Sequence, residues 1–269
     1  MVRKKRDPGE NLIPLKNFLK YRHQTTMSLW ASTGVGKSRF LITAPPPVFI
    51  YSFEPDGPVW ALKNALTQGV IEEGDVFIDE VLLSVFGDEI PLARTVEEEA
   101  EILEYTQEAL EYVIKNEKEG TIGIDTGTTL WQMVDEVEGE AIREKRAKQG
   151  KDLYRFDYRY AYKAFRRMIE AIKVSRLNCI ITHHDQPVFN AKGEATQKKK
   201  YSGNNKLPEL VEVHFRLQYS PNEYDEVDEN GDYGRRWATI DKCRLDGRLV
   251  GIEIENPTFD KVLKKLTPK

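Results

Sequence analysis

The sequence predicts an α/β fold: a mainly parallel twisted sheet with helices on both faces and antiparallel strands at the C-terminal end. Short apolar stretches, such as residues 48–53 and 177–182, alternate with amphipathic helical stretches. Strands that are apolar throughout are typical of a parallel sheet covered on both faces. A glycine-rich loop, residues 31–38, lies between the first strand and the first helix, as this fold class expects.

This loop matches the phosphate-binding motif G-x-x-x-x-G-K-[ST], with Ala31 in place of the first glycine. Its backbone N–H groups would face a polyphosphate, Lys37 would reach the β- and γ-phosphates, and Ser38 would bind Mg²⁺. The sequence therefore predicts ATP and Mg²⁺ as ligands, with the choice between ATP and GTP left open. The predicted nucleotide-binding residues are Ser32, Thr33, Gly34, Val35, Gly36, Lys37, Ser38 and Arg39.

Further elements follow in the order that a layered α/β domain requires. Three prolines from Pro45 to Pro47 end the first helix, and the apolar strand 48–53 comes next. Strands are predicted at 76–78 and 81–83. From residue 95 to 116, apolar side chains recur at helical spacing among many glutamates, which indicates an amphipathic helix with a solvated acidic face.

The second half of the chain continues this alternation. The predicted elements are a strand at 120–125, a helical region from 127 to 175 broken near Gly150, a strand at 177–182, a polar lysine-rich segment at 186–208, and strands at 211–219, 236–244 and 248–255. No internal repeat and no linker rich in Gly, Pro or Ser divides the chain. We therefore expect a basic N-terminal extension over 1–23, one domain over 24–256 and a C-terminal tail over 257–269.

Composition excludes several classes of protein. The 269 residues carry a formal net charge of −4, which excludes a globally basic nucleic-acid coat but leaves local basic patches open. The two cysteines, Cys179 and Cys243, lie in apolar surroundings and are expected to be buried free thiols of a reducing compartment. With neither a signal peptide nor an apolar run of membrane-spanning length, we expect a cytoplasmic protein without membrane contact.

Polar side chains follow three predicted strands at their carboxyl ends, where ligands bind in open parallel sheets. Asp125 would hold Mg²⁺, Glu54 would activate water as a general base, and His183 would contact the γ-phosphate, with His184 as its competitor. The alternatives are a helix cap for Asp125, a turn carboxylate for Glu54 and a structural role for the histidine.

Two basic residues late in the chain, Lys242 and Arg244, point to the same side of a predicted strand. On a sheet edge they could reach the γ-phosphate of a neighbouring subunit, as an arginine finger does. The alternative is a solvated strand face that pairs with Asp241 or Asp246.

Taken in this order, residues 24 to 255 resemble the RecA-like P-loop ATPases, above all their DnaB/KaiC branch and compact phage recombination ATPases. The resemblance implies ATP hydrolysis by subunits that assemble into a ring or filament. The compact size of the chain suggests a viral or plasmid source. The resemblance also implies particular roles: the phosphate loop for residues 31–38, the catalytic acid for Glu54, the metal-binding acid for Asp125, the sensor for His183, and a K-x-R pair acting across subunits for Lys242 and Arg244.

Members of that family contact DNA through loops after the acid-bearing strand region and after the sensor strand. Basic residues outnumber acidic ones in 143–167, where aromatic residues are interleaved, and lysines cluster in 192–206. Rings that stack on bases and cations that neutralise phosphates are typical of single-stranded DNA binding. We expect 143–160 and 192–206 to be the candidate segments. In the first, we expect both a core stripe, with the helix from about 157 packed, and a loop near 145–156 that is free to bind; for the second, an ordinary solvated loop is the alternative.

The expected function is a Mg²⁺-dependent, DNA-stimulated ATPase that binds single-stranded DNA in recombination, annealing or replication. The sequence leaves two alternatives open: a hexameric helicase or translocase, and an assembly module that binds ATP without hydrolysing it.

Overall fold

The computed structural model of the chain describes residues 24–55, 57–91, 93–150, 159–190, 192–219 and 235–266. Its elements are β1 (Thr26–Ala31), α1 (Lys37–Leu41), β2 (Val48–Ser52), α2 (Val59–Thr67), β3 (Val76–Glu80), α3 (Val81–Phe86), α4 (Val96–Asn116), β4 (Thr121–Asp125), α5 (Gly127–Ala147), α6 (Arg159–Val174), β5 (Asn178–Phe189), β6 (Ala195–Tyr201), α7 (Leu207–Leu210), β7 (Val213–Tyr219), β8 (Arg236–Cys243), a 3₁₀ turn (Gly247–Leu249), β9 (Glu253–Glu255) and α8 (Phe259–Leu266).

The described strands form one mainly parallel sheet in the order β3-β2-β4-β5-β1-β7-β8-β9. The six strands from β3 to β7 in this order are parallel, whereas β8 and β9 are antiparallel to their neighbours. β6 pairs only with the distal half of β5, in antiparallel register. The predicted fold class is therefore confirmed, including the antiparallel strands at the C-terminal end.

β1 lies in the interior of the sheet, and all six of its residues are buried. It pairs in parallel with β5 on one side and with β7 on the other. Helices cover both faces of such a strand, which explains why four of the residues 26–31 are apolar; the polar Thr26 and Ser28 are buried among them. The loop that follows β1 consequently leaves the sheet at its carboxyl edge, beside the end of the β5 segment that pairs with β1.

Helices cover both faces of the sheet and divide the core into two clusters. On one face lie α1, α2 and α8, and on the other lie α4, α5 and α6. α6 shows the pattern clearly, because Phe165, Ile169 and Ile172 recur at helical spacing and are fully buried. This confirms the core stripe foreseen along the helix after residue 157. No helix within the described ranges combines the length and apolarity needed to cross a bilayer.

Two local predictions were wrong. Residues 81–83 begin helix α3 rather than a strand, because a short apolar run does not distinguish the two. The lysine-rich stretch 186–208, to which the sequence assigned no element, contains the extension of β5, strand β6 and the start of helix α7. The last predicted strand, 248–255, contributes only a 3₁₀ turn and the short β9.

The stretch predicted as a C-terminal tail contains helix α8, which packs on the first core cluster. Phe259, Val262 and Leu266 are buried there, and the backbone N–H of Phe259 donates to Thr43 Oγ1 at 2.9 Å. The division of the chain into extension, domain and tail stays a prediction.

Because Phe259 is 1% exposed, we expect Phe259→Ala to lower the free energy of unfolding by about 3–5 kcal/mol through lost burial and a residual cavity. Urea denaturation of the full chain measures this. The control is Lys264→Ala on the exposed side of the same helix, which should change stability by less than about 0.5 kcal/mol. Equal stability of the two variants would show that α8 contributes nothing to the core.

Candidate active site

The phosphate-binding motif forms a compact loop between β1 and α1. The backbone N–H of Val35 donates to the carbonyl of Ser32 at 3.4 Å. Gly34 and Gly36 have φ angles of 84° and 103°, a region that side chains with a Cβ rarely enter. The two glycines of the motif are therefore required by the backbone of the loop, whereas the position of the missing first glycine, Ala31, is an ordinary buried strand residue.

Lys37 folds back over its own loop. Its Nζ lies 3.3 Å from the carbonyl oxygen of Ala31, 3.4 Å from that of Ser32 and 3.5 Å from His184 Nδ1. Burial lowers the pKa of Lys37, and the carboxylates of Asp125, Glu54 and Asp185 oppose that shift. The ammonium group is thus held by carbonyl groups and acidic neighbours at the position where a phosphate would meet it.

Ser38, in the first turn of α1, and Asp125, at the carboxyl end of β4, lie side by side. The Ser38 hydroxyl donates to Asp125 Oδ2 at 2.8 Å, and Thr182 of β5 donates to the other carboxylate oxygen, Oδ1. Two hard oxygen donors in a largely buried position fit Mg²⁺, which takes one or two protein ligands when phosphates and water supply the rest. Within the described ranges, no group of three or more His, Cys, Asp and Glu side chains could hold a metal ion alone.

Glu54, from the end of β2, contacts His184 from β5. His184 Nε2 and Glu54 Oε1 form a short hydrogen bond, and Thr126 Oγ1 donates to the same oxygen at 3.2 Å. The hydrogen bond to His184 is the main reason why the pKa of Glu54 is lowered. Lys37 can only donate and an ionised carboxylate can only accept, so His184 bridges them with Nδ1 unprotonated and Nε2 carrying the proton.

The structure brings His184, rather than His183, to this cluster. Successive residues of β5 face opposite sides of the sheet, so His184 shares its face with Thr182 and reaches Lys37, while His183 points toward α5. Thr128 fixes the backbone at this point, because its hydroxyl accepts from the His184 N–H at 3.0 Å and donates to the carbonyl of Ser202 at 2.6 Å. The sequence gives the alternation of the strand but not which face meets the site; the contact of Thr182 with Asp125 supplies that face.

His183 belongs instead to a buried polar layer beneath the β5–β6 hairpin. Its ring lies edge-on to Tyr201 with centroids 4.7 Å apart, and Tyr201 lies edge-on to His214 of β7 at 5.0 Å. His214 Nδ1 is 3.2 Å from Ser28 Oγ. Burial lowers the pKa of His183 well below its usual value and that of His214 to about 4, so both rings are neutral at pH 7.

Asp185 and Lys199 extend the cluster beyond the edge of the sheet. Ser32 Oγ donates to Asp185 Oδ2 at 2.5 Å, and Lys199 Nζ lies 2.8 Å from the same oxygen and 2.7 Å from Ser32 Oγ. Burial raises the pKa of Asp185, but the hydrogen bonds from Lys199 and Ser32, together with the charges of Lys199 and Lys37, lower this pKa overall. Sequence reasoning gave neither residue a role at the nucleotide, because the register of the hairpin, with Lys199 opposite Pro187, appears only in the fold.

Tyr219 and Arg236 lie on the other side of the phosphate loop, at the adjoining ends of β7 and β8. The Tyr219 hydroxyl donates to the carbonyl of Gly34 at 2.8 Å, and the Arg236 guanidinium lies over the Tyr219 ring. A Cβ added to Gly36 would meet Arg236 Nε at 3.1 Å, so this position also needs glycine for space. No motif in the sequence pointed to this pair.

The basic pair near the end of β8 lies far from the phosphate loop of its own chain. β8 runs antiparallel to β7, so Lys242 and Arg244 are at the amino edge of the sheet. Arg244 Nη1 donates to the carbonyl of Glu209 at 3.0 Å. The structure therefore does not bring this pair to the cluster around Lys37, and its action across subunits stays a prediction.

The two candidate DNA segments have different surroundings. In the first, α5 extends to Ala147, Arg143 pairs with Glu140 at 2.9 Å, and Lys148 lies 3.7 Å from Glu144; residues 151–158 lie outside the described ranges. In the second, β6 exposes three consecutive lysines from Lys198 to Lys200, of which Lys199 contacts Ser32 of the phosphate loop.

Three features define this protein as a P-loop NTPase. They are a phosphate loop after an interior parallel strand, a serine–aspartate pair, and a glutamate at the same edge of the sheet. The profile of the AAA domain family matches residues 23–245, and the chain belongs to this family. No curated protein matches the sequence. The narrower assignment to the RecA-like DnaB/KaiC branch stays a prediction.

Because His183 and His214 are buried and neutral, the folded protein should lose stability as the pH falls. An unfolded chain protonates histidine near pH 6.5, whereas the folded chain holds the pKa of His214 near 4. Between these pH values the unfolded state binds more protons than the folded state. As the pH is lowered, the free energy of unfolding therefore falls by about 1.4 kcal/mol for each such histidine and each pH unit.

Urea denaturation at several pH values between 7 and 4.5 tests this expectation. His214→Gln should make the slope shallower by about 1.4 kcal/mol per pH unit below pH 6, since the amide does not titrate. The groups that face His214 are His183 and Tyr201 on β5 and β6 and Lys242 on β8, whose charge also lowers the pKa of His214. Identical slopes for the variant and the unaltered protein would contradict the assignment.

Proposed function

We propose that this protein is a Mg²⁺-dependent ATPase of the RecA-like class that binds single-stranded DNA and acts in recombination, annealing or replication. The AAA-family match supports an ATP-hydrolysing P-loop NTPase. One observation carries the catalytic part: Lys37, Ser38, Glu54, Asp125 and His184 converge at one carboxyl edge of a parallel sheet.

Hydrolysis is attack of water on the γ-phosphate, and each residue of the cluster has a role in it. The loop amides and Lys37 bind the phosphates and neutralise charge that builds up on them. Ser38 and Asp125 would hold Mg²⁺, directly or through water, and the ion would supply further charge neutralisation and orientation of the phosphates.

Glu54 orients the attacking water and accepts its proton. Its pKa is lowered by the hydrogen bond from His184, so the carboxylate is ionised at neutral pH and free to accept a hydrogen bond from water. His184 contacts both Lys37 and Glu54, which supports assigning the γ-phosphate sensor to His184 and a structural role to His183.

Binding of single-stranded DNA is supported by the basic strand β6. Exposed Lys198 and Lys200 would neutralise backbone phosphates, and Lys199 connects the same strand to the phosphate loop. The segment 143–160 contributes less in its described part, because Arg143 and Lys148 are paired with glutamates of their own helix.

Assembly into a ring or filament would complete the site. Lys242 and Arg244 lie at the sheet edge opposite to their own phosphate loop, so they could serve only a neighbouring subunit. Directional movement on DNA would favour a helicase or translocase, and ATP-dependent assembly without turnover would favour a non-hydrolysing module.

The catalytic assignment predicts different defects for two variants. Glu54→Gln should lower the rate of ATP hydrolysis by about 10²–10⁴-fold while nucleotide binding persists, because only the general base is lost. Lys37→Ala should lose both binding and hydrolysis. Phosphate release and binding of a fluorescent ATP analogue measure the two properties, and unchanged turnover in Glu54→Gln would reject this residue as the base.

The DNA assignment predicts stimulation of hydrolysis by single-stranded DNA and a salt-dependent affinity. The double variant Lys198→Ala/Lys200→Ala should reduce the slope of log affinity against log salt by about 1.4, since each phosphate contact contributes about 0.7. Fluorescence anisotropy with a labelled oligonucleotide measures the slope. Lys264→Ala/Lys265→Ala removes the same charge from exposed positions on α8 and should leave it unchanged; equal effects of both pairs would reject β6 as the contact.

A further inference from the structure

Lys199 is a second lysine at the phosphate loop, supplied by a different part of the chain from Lys37. β5 continues past His184 beyond the sheet edge and returns as β6, which carries Lys199 back to Ser32. Lys37 Nζ is 3.4 Å from the carbonyl oxygen of Ser32, and Lys199 Nζ is 2.7 Å from its hydroxyl. The two ammonium groups therefore flank the same residue of the loop.

Asp185 is the anion that both lysines share. It forms the ion pair with Lys199 and attracts Lys37 electrostatically. A nucleoside triphosphate brings several negative charges to this position, which repel the Asp185 carboxylate and offer Lys199 a more highly charged partner than a single carboxylate.

The Lys199–Asp185 pair is suited to being exchanged. The Lys199 side chain is 54% exposed, and ion pairs at exposed positions contribute little stability. A lysine ammonium on a flexible four-carbon stem can also move between two partners without a change in the backbone.

We propose that Lys199 is a second phosphate-binding residue, which rests on Asp185 without nucleotide and transfers to the terminal phosphate of ATP. The inference rests on the proposed function only in requiring that the phosphate loop binds a nucleoside triphosphate. The transfer depends on the terminal phosphate, so it occurs with ATP but not with ADP, which lacks that phosphate. Asp185 then acts as a competitor that weakens ATP binding.

Opposite effects of two substitutions test this exchange. Lys199→Ala should weaken the binding of a non-hydrolysable ATP analogue about tenfold and change ADP binding by less than twofold. Asp185→Asn should tighten binding of the same analogue about threefold, because Lys199 is no longer held. In the double variant the gain from Asp185→Asn should disappear, since the two residues act on one interaction.

Titration of the full chain with the fluorescent analogue and with ADP, in Mg²⁺ and without DNA, measures these affinities. Lys199→Arg should retain most of the affinity, which separates the role of the charge from a folding defect. Lys118→Ala, exposed before β4 at the opposite edge of the sheet, removes the same charge and should bind like the unaltered protein.

The outcomes separate this inference from the proposed function. If the unaltered protein binds the analogue, Lys37→Ala does not, and Lys199→Ala binds normally, the exchange is rejected while the nucleotide site stands. Equal weakening of ATP and ADP in Lys199→Ala would assign Lys199 to support of the loop and also overturn the exchange. If the unaltered protein binds neither nucleotide, both proposals fail.

Discussion

The site is organised around a buried cation. The Lys37 side chain is almost withdrawn from solvent, and an ammonium group in such a position costs several kcal/mol unless its surroundings compensate it. The carbonyl groups of Ala31 and Ser32 supply part of that compensation, and acidic residues at the ends of three parallel strands supply the rest. Glu54, Asp125 and Asp185 thus stabilise the buried ammonium group of the folded site. Because the three carboxylates lie at one edge of the sheet, all of them interact electrostatically with the same lysine of the loop.

The strand β5 connects these acids to one another. Thr182 donates to Asp125, His184 bridges Glu54 and Lys37, and Asp185 accepts from Ser32. These contacts come from three of four consecutive residues. Thr182 and His184 share one face of β5, Asp185 lies where the strand passes beyond the sheet edge, and His183 faces the opposite side from Thr182 and His184. A shift of this strand by one residue would exchange the two faces and destroy the site. The neutral His183–Tyr201–His214 layer packs against the reverse side, where a displaced charge would be buried without a partner.

The parts of the site that depend on the order of the strands along the chain could be predicted from the sequence. The phosphate loop, Glu54 and Asp125 follow apolar strands, and a parallel sheet brings the ends of such strands together. To choose between His183 and His184, one must know which face of β5 meets the site. Two neighbouring histidines do not reveal that face. Lys199 was missed as a site residue because β6 is exposed on both sides, so its sequence shows no apolar alternation. Similarly, the run from Val81 to Leu83 suits either a strand or the first turn of a helix, and tertiary packing selects the helix.

The hairpin formed by β5 and β6 is anchored in two different ways. At its base, the buried Thr128 hydroxyl joins the His184 backbone to the Ser202 carbonyl, and Tyr201 packs between two histidine rings. Farther out, exposed Lys199 contacts Asp185 and Ser32 through ionic and hydrogen bonds. Buried contacts of the first kind are costly to break, whereas exposed ion pairs are not. A change in charge at the phosphate loop would therefore act on the outer, ionic contacts of Lys199 and leave the buried base of the hairpin in place. Because Lys198 and Lys200 flank Lys199 on β6, one strand places a basic surface next to the residue that contacts the phosphate loop.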